Sequence, residues 1–208
     1  MKILIGDDHS VVRRGLKMII LEAYPNAMIE EATDGAEVLQ LLNKANWDII
    51  ISDISMPGRS GVEIIKLVKE QAPKIPILIL SVHAAEQYAV RTLKAGASGY
   101  LTKESAPEEL VKAIKQIVSG RRYITPDIAD LLVDQHTKND SDEPHKQLSN
   151  REFEVMKMIA SGKKISDIAE ILFLSINTIS TYRTRILEKM GLASNAELTR
   201  YALTNNLI

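Results

Sequence analysis

Within the first 120 residues, short apolar runs and segments of helical period alternate five times, which restricts the fold more than any other feature of the chain. Ile3-Leu-Ile5, Met28-Ile29, Ile49-Ile-Ile51, Ile77-Leu-Ile-Leu80 and Gly99-Tyr-Leu101 read as strands. Helical segments follow near 10–22, 35–45, 61–72, 85–95 and 106–119, with Val62, Ile65 and Val68, and then Leu110, Ile114 and Ile117, spaced by turns. Strand then helix, repeated, predicts a parallel sheet with helices on both faces, because parallel neighbours need crossovers and crossovers are right-handed. The expected fold is α/β and doubly wound, with any site at the carboxyl edge of the strands.

That edge collects polar residues. Asp7 and Asp8 follow the first strand, Asp53 the third, Ser81 the fourth and Lys103 the fifth. Taken alone, Asp53 is a turn residue before Met56-Pro57-Gly58, and the others are helix caps, turn hydroxyls or solvated charges. Together they call for another account. Three carboxylates in one crevice repel unless a cation joins them, and an all-oxygen ligand set suits Mg²⁺, with Mn²⁺ the alternative ion. A lysine and a hydroxyl beside them complete an anion pocket around one acid, the arrangement that makes a carboxylate a phosphoryl acceptor.

Composition removes several other chemistries. The 208 residues include no cysteine, so disulfides, thiol nucleophiles and thiolate metal sites are excluded, and the four histidines (9, 83, 136 and 145) lack ligand spacing. The hydrophobic content of 45% supports a sizeable core, yet no run approaches the roughly 18 apolar residues that span a bilayer. The start lacks the apolar run and cleavage site of a signal peptide, so a cytoplasmic protein without membrane contact is expected.

Asp7-Asp8-His9, Asp53-x-x-Met56-Pro57-Gly58-x-x-Gly61, Ser81, Ala95-Gly96-Ala97-x-Gly99-Tyr100 and Leu101-x-Lys103 resemble the receiver domain of two-component response regulators, a flavodoxin-like fold. The resemblance implies that Asp53 is phosphorylated by a sensor histidine kinase or a small phosphodonor. It implies Mg²⁺ on Asp7, Asp8, Asp53 and the backbone carbonyl of Ser55, with Ser81 and Tyr100 as the switch pair and Lys103 as the phosphate partner. Gly6 stands where the family usually has a larger apolar residue, and looser packing of the first strand is expected there. His83, two residues beyond the switch hydroxyl, is expected to affect how fast the phosphoryl group hydrolyses.

The pattern changes after residue 121. Thr125-Pro126 starts a short apolar helix, and the polar run from Gln135 to Lys146 cannot bury enough surface to order itself, so residues 122–146 are read as a linker. Residues 147–208 are helical throughout. Ser149-Asn-Arg-Glu152 and Ser194-Asn-Ala-Glu197 read as capping boxes, Gly162 and Gly191 as stops, and a connection around Phe173-Leu-Ser175 joins two helices as a helix-turn-helix. Ile179, Tyr182, Ile186 and Met190 form a packed stripe, leaving Ser180, Thr181, Thr184, Arg185 and Glu188 outward, small hydroxyls that can approach base edges in a DNA major groove while Arg183 and Arg185 reach bases or phosphates.

Leu148-Ser-x-Arg-Glu152, Ala160-x-Gly162, Ile168-Ala169, Leu174-Ser-x-x-Thr178-Ile179 and Lys189-Met190 resemble the LuxR-type DNA-binding domain. The whole chain therefore resembles a NarL/FixJ-family regulator, with a receiver over 1–121 and a four-helix DNA-binding domain over 147–208. The resemblance implies base contacts at Ser180, Thr181 and Thr184, where the family often has basic residues at the first and last, beside Thr178, Arg183 and Arg185. With eight Lys+Arg against six Asp+Glu in residues 147–208, one copy is expected to bind DNA weakly. Phosphorylation that forms a homodimer on an inverted repeat is then the natural output. Two alternatives remain: a receiver that only dimerises, independently of phosphate, and an aspartyl phosphatase, which would need a second acid and a cap absent after Asp53.

Overall fold

The computed structural model describes residues 1–82, 85–137 and 143–208. They form two compact units, Met1–Leu132 and Val133–Ile208. In the first, strands β1 (Lys2–Gly6), β2 (Met28–Ala32), β3 (Ile49–Asp53), β4 (Ile77–Ser81) and β5 (Gly99–Thr102) alternate with helices α1 (Ser10–Ala23), α2 (Gly35–Leu42), α3 (Gly61–Gln71), α4 (Ala85–Lys94) and α5 (Ala106–Val118). The strands are all parallel in the order β2-β1-β3-β4-β5. This flavodoxin-like order reverses direction between β1 and β3, which opens a crevice at their carboxyl ends. The helix expected over 35–45 is shorter because the Trp47 indole N–H donates to the Leu41 carbonyl at 3.0 Å, capping the last turn.

The period of two divides each strand between two cores. Ile5, Ile51 and Leu80 pack on Leu16, Ile20, Leu110 and Ile114, while Leu4, Ile50 and Ile79 pack on Val38, Ile65 and Leu93. Fully burying one such side chain contributes about 1.5–3 kcal/mol, so β3, buried along its whole length, is a rigid mount for Asp53. The packing of β1 at Gly6 differs from expectation. A Cβ there would lie 2.7 Å from Val38 Cγ2 and 3.4 Å from Met56 Cε, so those side chains already fill the space and the strand is not loosened.

The loop leaving β3 is tighter still. A Cβ on Gly61 would sit 2.5 Å from the Ile54 carbonyl oxygen and 2.7 Å from its Cα, both backbone atoms that cannot rotate away. Gly61→Ala is expected to cost about 1–3 kcal/mol, read as a lower urea midpoint for the first unit. An unchanged midpoint would mean that the loop relaxes without cost.

The segment expected as a linker is partly ordered. Tyr123 bridges to Gly99 and is buried in the α1–α5 core, while Ile128 of α6 (Pro126–Thr137) is buried against the opposite core. Residues 138–142 lie outside the described residues. Pro144–Gln147 form a single 3-10 turn of the second unit, where the His145 ring, 9% exposed, shares a 2.8 Å hydrogen bond from Nδ1 to the Tyr201 hydroxyl.

Helices α7 (Asn150–Ala160), α8 (Ile165–Ile171), α9 (Ile176–Met190) and α10 (Asn195–Thr204) complete that unit around Phe153, Met156, Ile168, Ile179, Ile186 and Leu198. Ser149 and Glu152 form the capping box. The second box closes differently: Ser194 accepts from the Glu197 N–H, but the Glu197 carboxylate accepts from the Ala193 N–H at 2.9 Å, one residue earlier. Gly191 ends α9 at φ 64°, a left-handed conformation that glycine adopts without steric penalty. Among the described residues no helix is long and apolar enough to cross a membrane.

Candidate functional site

Sheet register brings the acids together. Gly6 pairs with Ser52, Asp53 with Leu80 and Ser81 with Thr102, so Asp7, Asp53, Ser81 and Lys103 all emerge at one edge. Ligand atoms of Asp7, Asp8, His9 and Asp53 lie within 4.8 Å of one another. Asp7 and Asp53 are 0% and 2% exposed. Lys103 Nζ lies 2.7 Å from Oδ2 of each, and forms its hydrogen bond with Asp53. Asp7 Oδ2 is thus fully buried with an ionic neighbour but no hydrogen bond. A buried carboxylate oxygen with an open lone pair, in a nest of hard oxygen donors, fits a small divalent cation.

Each acid is held from behind. Asp7 Oδ1 accepts the His9 N–H at 2.8 Å, and Arg13 spans the Asp7 carbonyl at 2.7 Å and Glu31 at 3.0 Å. Asp53 Oδ1 accepts the Ser55 N–H at 3.1 Å, leaving Oδ2 to Lys103. Burial pushes the Asp53 carboxyl above its ordinary range, and Lys103 only partly offsets this. Burial draws the Lys103 ammonium down, but its hydrogen bond to Asp53 and its pairing with the Asp7 charge outweigh that and leave it raised. The fold therefore crowds negative charge here beyond what one lysine neutralises.

Ser81 and Tyr100 are buried on neighbouring strands, at 0% and 1% exposure, with the Tyr100 ring in the core that holds Ala89 and Leu93. The Lys103 N–H donates to the Ser81 carbonyl at 2.7 Å, so the lysine and the hydroxyl share one piece of backbone. His83 lies outside the described residues.

In the second unit α9 buries Ile179 and Ile186 and exposes Ser180, Thr181, Thr184 and Arg185. Two expected residues are engaged elsewhere. Thr178 belongs to the cap, with its N–H donating to Ser175 Oγ at 3.0 Å and its hydroxyl 2.8 Å from the same atom. Arg183 is half-buried, and its Nε donates to Asn195 Oδ1 at 2.7 Å, tying α9 to the start of α10. Lys189 meets Glu152 at 2.7 Å; burial raises that carboxyl, but Lys189 and the Ser149 cap outweigh it and leave it lowered.

Comparison with known proteins gives these two constellations a common setting. Residues 3–115 match the family described as response regulator receiver domain, and residues 146–202 match bacterial regulatory proteins, luxR family. The chain belongs to the NarL/FixJ response regulators. It is 36% identical to the oxygen regulatory protein NreC of Staphylococcus carnosus, over 100% of this chain and 99% of that one. It is 34% identical to the response regulator UvrY of Escherichia coli K12, over 99% and 94%. Among solved structures, RcsB from Salmonella enterica serovar Typhimurium, bound to promoter rprA in the presence of phosphomimetic BeF3−, aligns with a TM-score of 0.68 at 27% identity, covering 97% of each chain. This response regulator therefore joins a receiver to a LuxR-type DNA-binding domain and regulates transcription.

Sequence reasoning missed three features of this NarL/FixJ chain. His9 Nδ1 sits 2.8 Å from Asp8 Oδ1, which its place directly after the acid pair hinted at. Ile176 and Asn177 are exposed at the start of α9, directly after the capping Ser175, and no hydrophobic period singles them out. Phe173, 75% exposed, takes φ 52° in the turn between α8 and α9, which local sequence did not reveal. A left-handed L-residue costs about 1–2 kcal/mol and glycine's extra chain entropy returns part of that. Phe173→Gly is therefore expected to raise the stability of the second unit by about 0.5–1 kcal/mol in thermal unfolding, because little packing is lost. A lower Tm would mean that the ring packs better than its exposure indicates.

Proposed function

We propose that Asp53 accepts a phosphoryl group from a sensor histidine kinase or a small phosphodonor, and that the acyl phosphate promotes dimerisation and sequence-specific DNA binding. The observation that carries this reading is the Lys103 ammonium 2.7 Å from Oδ2 of both Asp7 and Asp53, with Asp7 Oδ2 otherwise unbonded. Asp7, Asp8, Asp53 and the Ser55 carbonyl would hold Mg²⁺ or Mn²⁺. Such an ion, when bound, neutralises charge on the transferring phosphoryl oxygens. Asp53 Oδ2 is the attacking atom in this reading, because it faces Lys103, which can follow the charge onto the phosphoryl group, while Oδ1 faces the Ser55 N–H. As the new P–O bond forms and the donor's bond breaks, Lys103 moves from carboxylate to phosphoryl oxygen, and the Ser81 hydroxyl donates to another. Because Ser81 and Lys103 are linked through backbone, this contraction draws β4 and β5 together beside the Tyr100 ring.

Phosphate is then a ligand preferring one receiver conformation, and the shift it produces is limited by that preference. A modest positive charge on the second unit supports a need for two copies, on an inverted repeat, read through Ser180, Thr181 and Thr184 with Arg185. Thr178 and Arg183 shape and brace α9 in this reading. That the relative RcsB was solved bound to a promoter supports DNA binding, and the family's action on transcription supports a cytoplasmic protein. The test is incubation with a small phosphodonor and Mg²⁺. A hydroxylamine-labile phosphoryl group that needs the metal and Asp53 is expected, and dimers of equal strength without it would favour a receiver that merely dimerises.

A further inference from the structure

The face of α9 is wider at its N-terminal end than the three expected contact positions. Residues four apart stack on a helix, so Ile176, Ser180 and Thr184 form one row, and Asn177, Thr181 and Arg185 form the row beside it. Ile179 and Ile186 occupy the opposite, buried side. Both rows begin with residues outside the expected contact set. Ile176 is a large aliphatic group that is 56% exposed, and Asn177 is exposed with a carboxamide that has no hydrogen-bond partner among the described residues.

The hydroxyls behind them are partly spent. Thr181 Oγ1 donates to the Asn177 carbonyl at 2.9 Å and Thr184 Oγ1 donates to the Ser180 carbonyl at 3.2 Å. Their protons are used within the helix, so each offers a groove mainly a methyl group and lone pairs. Thr178 is occupied by the cap. Of the side chains on the first turn of α9, Asn177 alone combines a free donor and a free acceptor, the pair needed to distinguish one base edge from another.

We propose that Ile176 and Asn177 are specificity-determining residues that read an A·T step in each half-site, Asn177 pairing with an adenine and Ile176 packing on a neighbouring thymine methyl. This rests on the DNA-binding reading of α9 above and names its ligand. A recognition helix presents its N-terminal residues to base edges. Asparagine matches adenine by donating to N7's neighbour-facing acceptor pattern: its N–H reaches N7 while its carbonyl accepts from N6–H. A branched aliphatic group has no polar demand in the groove and matches the thymine C5-methyl.

The test begins with duplexes enriched from a random pool by the phosphorylated full-length protein. Asn177→Ala and Ile176→Ala alter exposed side chains, and circular dichroism checks that both retain their helix content. In the wild type, 7-deazaadenine at the selected adenine is expected to weaken binding roughly 5- to 150-fold, the range of a bidentate base contact. Uracil at the neighbouring thymine is expected to weaken it less. Asn177→Ala should become indifferent to the first replacement and Ile176→Ala to the second. If both variants keep the wild-type sensitivity while Ser180→Ala changes the enriched sequence, this assignment is overturned and DNA reading by α9 stands. If the wild type enriches no sequence, the DNA-binding reading fails and the assignment falls with it.

Discussion

Asp53→Asn is expected to abolish the acyl phosphate and, with it, the gain in operator affinity that phosphodonor treatment gives the wild type. The amide keeps the shape of the carboxylate, between the Ser55 N–H and Lys103, but is not a nucleophile toward phosphorus. Linking two weak DNA-binding units on one site raises affinity on the order of 10²-fold or more without new contacts. The variant should therefore bind at least that much more weakly than phosphorylated wild type in footprinting at one salt concentration, and with a shallower salt dependence, because fewer phosphates are neutralised. Equal affinity would uncouple Asp53 from DNA binding.

The same residue is expected to make the metal-free receiver less stable as pH rises. A carboxyl whose folded value lies above its unfolded one takes up a proton on folding. Its protonated form favours the native state, and stability falls as pH climbs from the ordinary carboxylate range through the raised value of Asp53. Glu31, lowered chiefly by its bond to Arg13, acts in the opposite sense, so the difference between wild type and Asp53→Asn isolates the effect. In a chelator at pH 7 the variant should be more stable by on the order of 1 kcal/mol, since it removes a buried charge that Lys103 only partly balances. Mg²⁺ at a hundred times its dissociation constant should add about 2.7 kcal/mol to the wild type and much less to the variant. Urea midpoints across pH 4–8, with and without Mg²⁺, measure both. A chelated wild type that gains stability over the variant as pH rises would contradict the crowding of charge described above.

The legible parts of this protein were those governed by period and by local chemistry. Ile49-Ile-Ile51 announces a strand buried on both faces, and Gly162 and Gly191 end helices because glycine turns left-handed without steric penalty. The illegible parts depended on which neighbour reached a group first. Ser194 and Glu197 have capping-box spacing, yet the carboxylate chose the Ala193 N–H. Polar composition suggested a linker from residue 122, but Tyr123 and Ile128 found cores to enter, and His145 found Tyr201.

The sequence by itself determined the alternation of strands and helices, the acids and lysine at strand ends, and the capped starts and glycine stops of α7 and α9, because these follow from side-chain period and backbone preference within a few residues. Only the tertiary structure decided how those groups are used. Register brought Lys103 to 2.7 Å from both Asp7 and Asp53, and the packing of α10 against the unit gave Arg183 the Asn195 carboxamide while leaving Ile176 and Asn177 exposed. Hydrogen bonds and ion pairs are short-range and exclusive, so the partner each polar group takes is settled by distances between residues far apart in the chain.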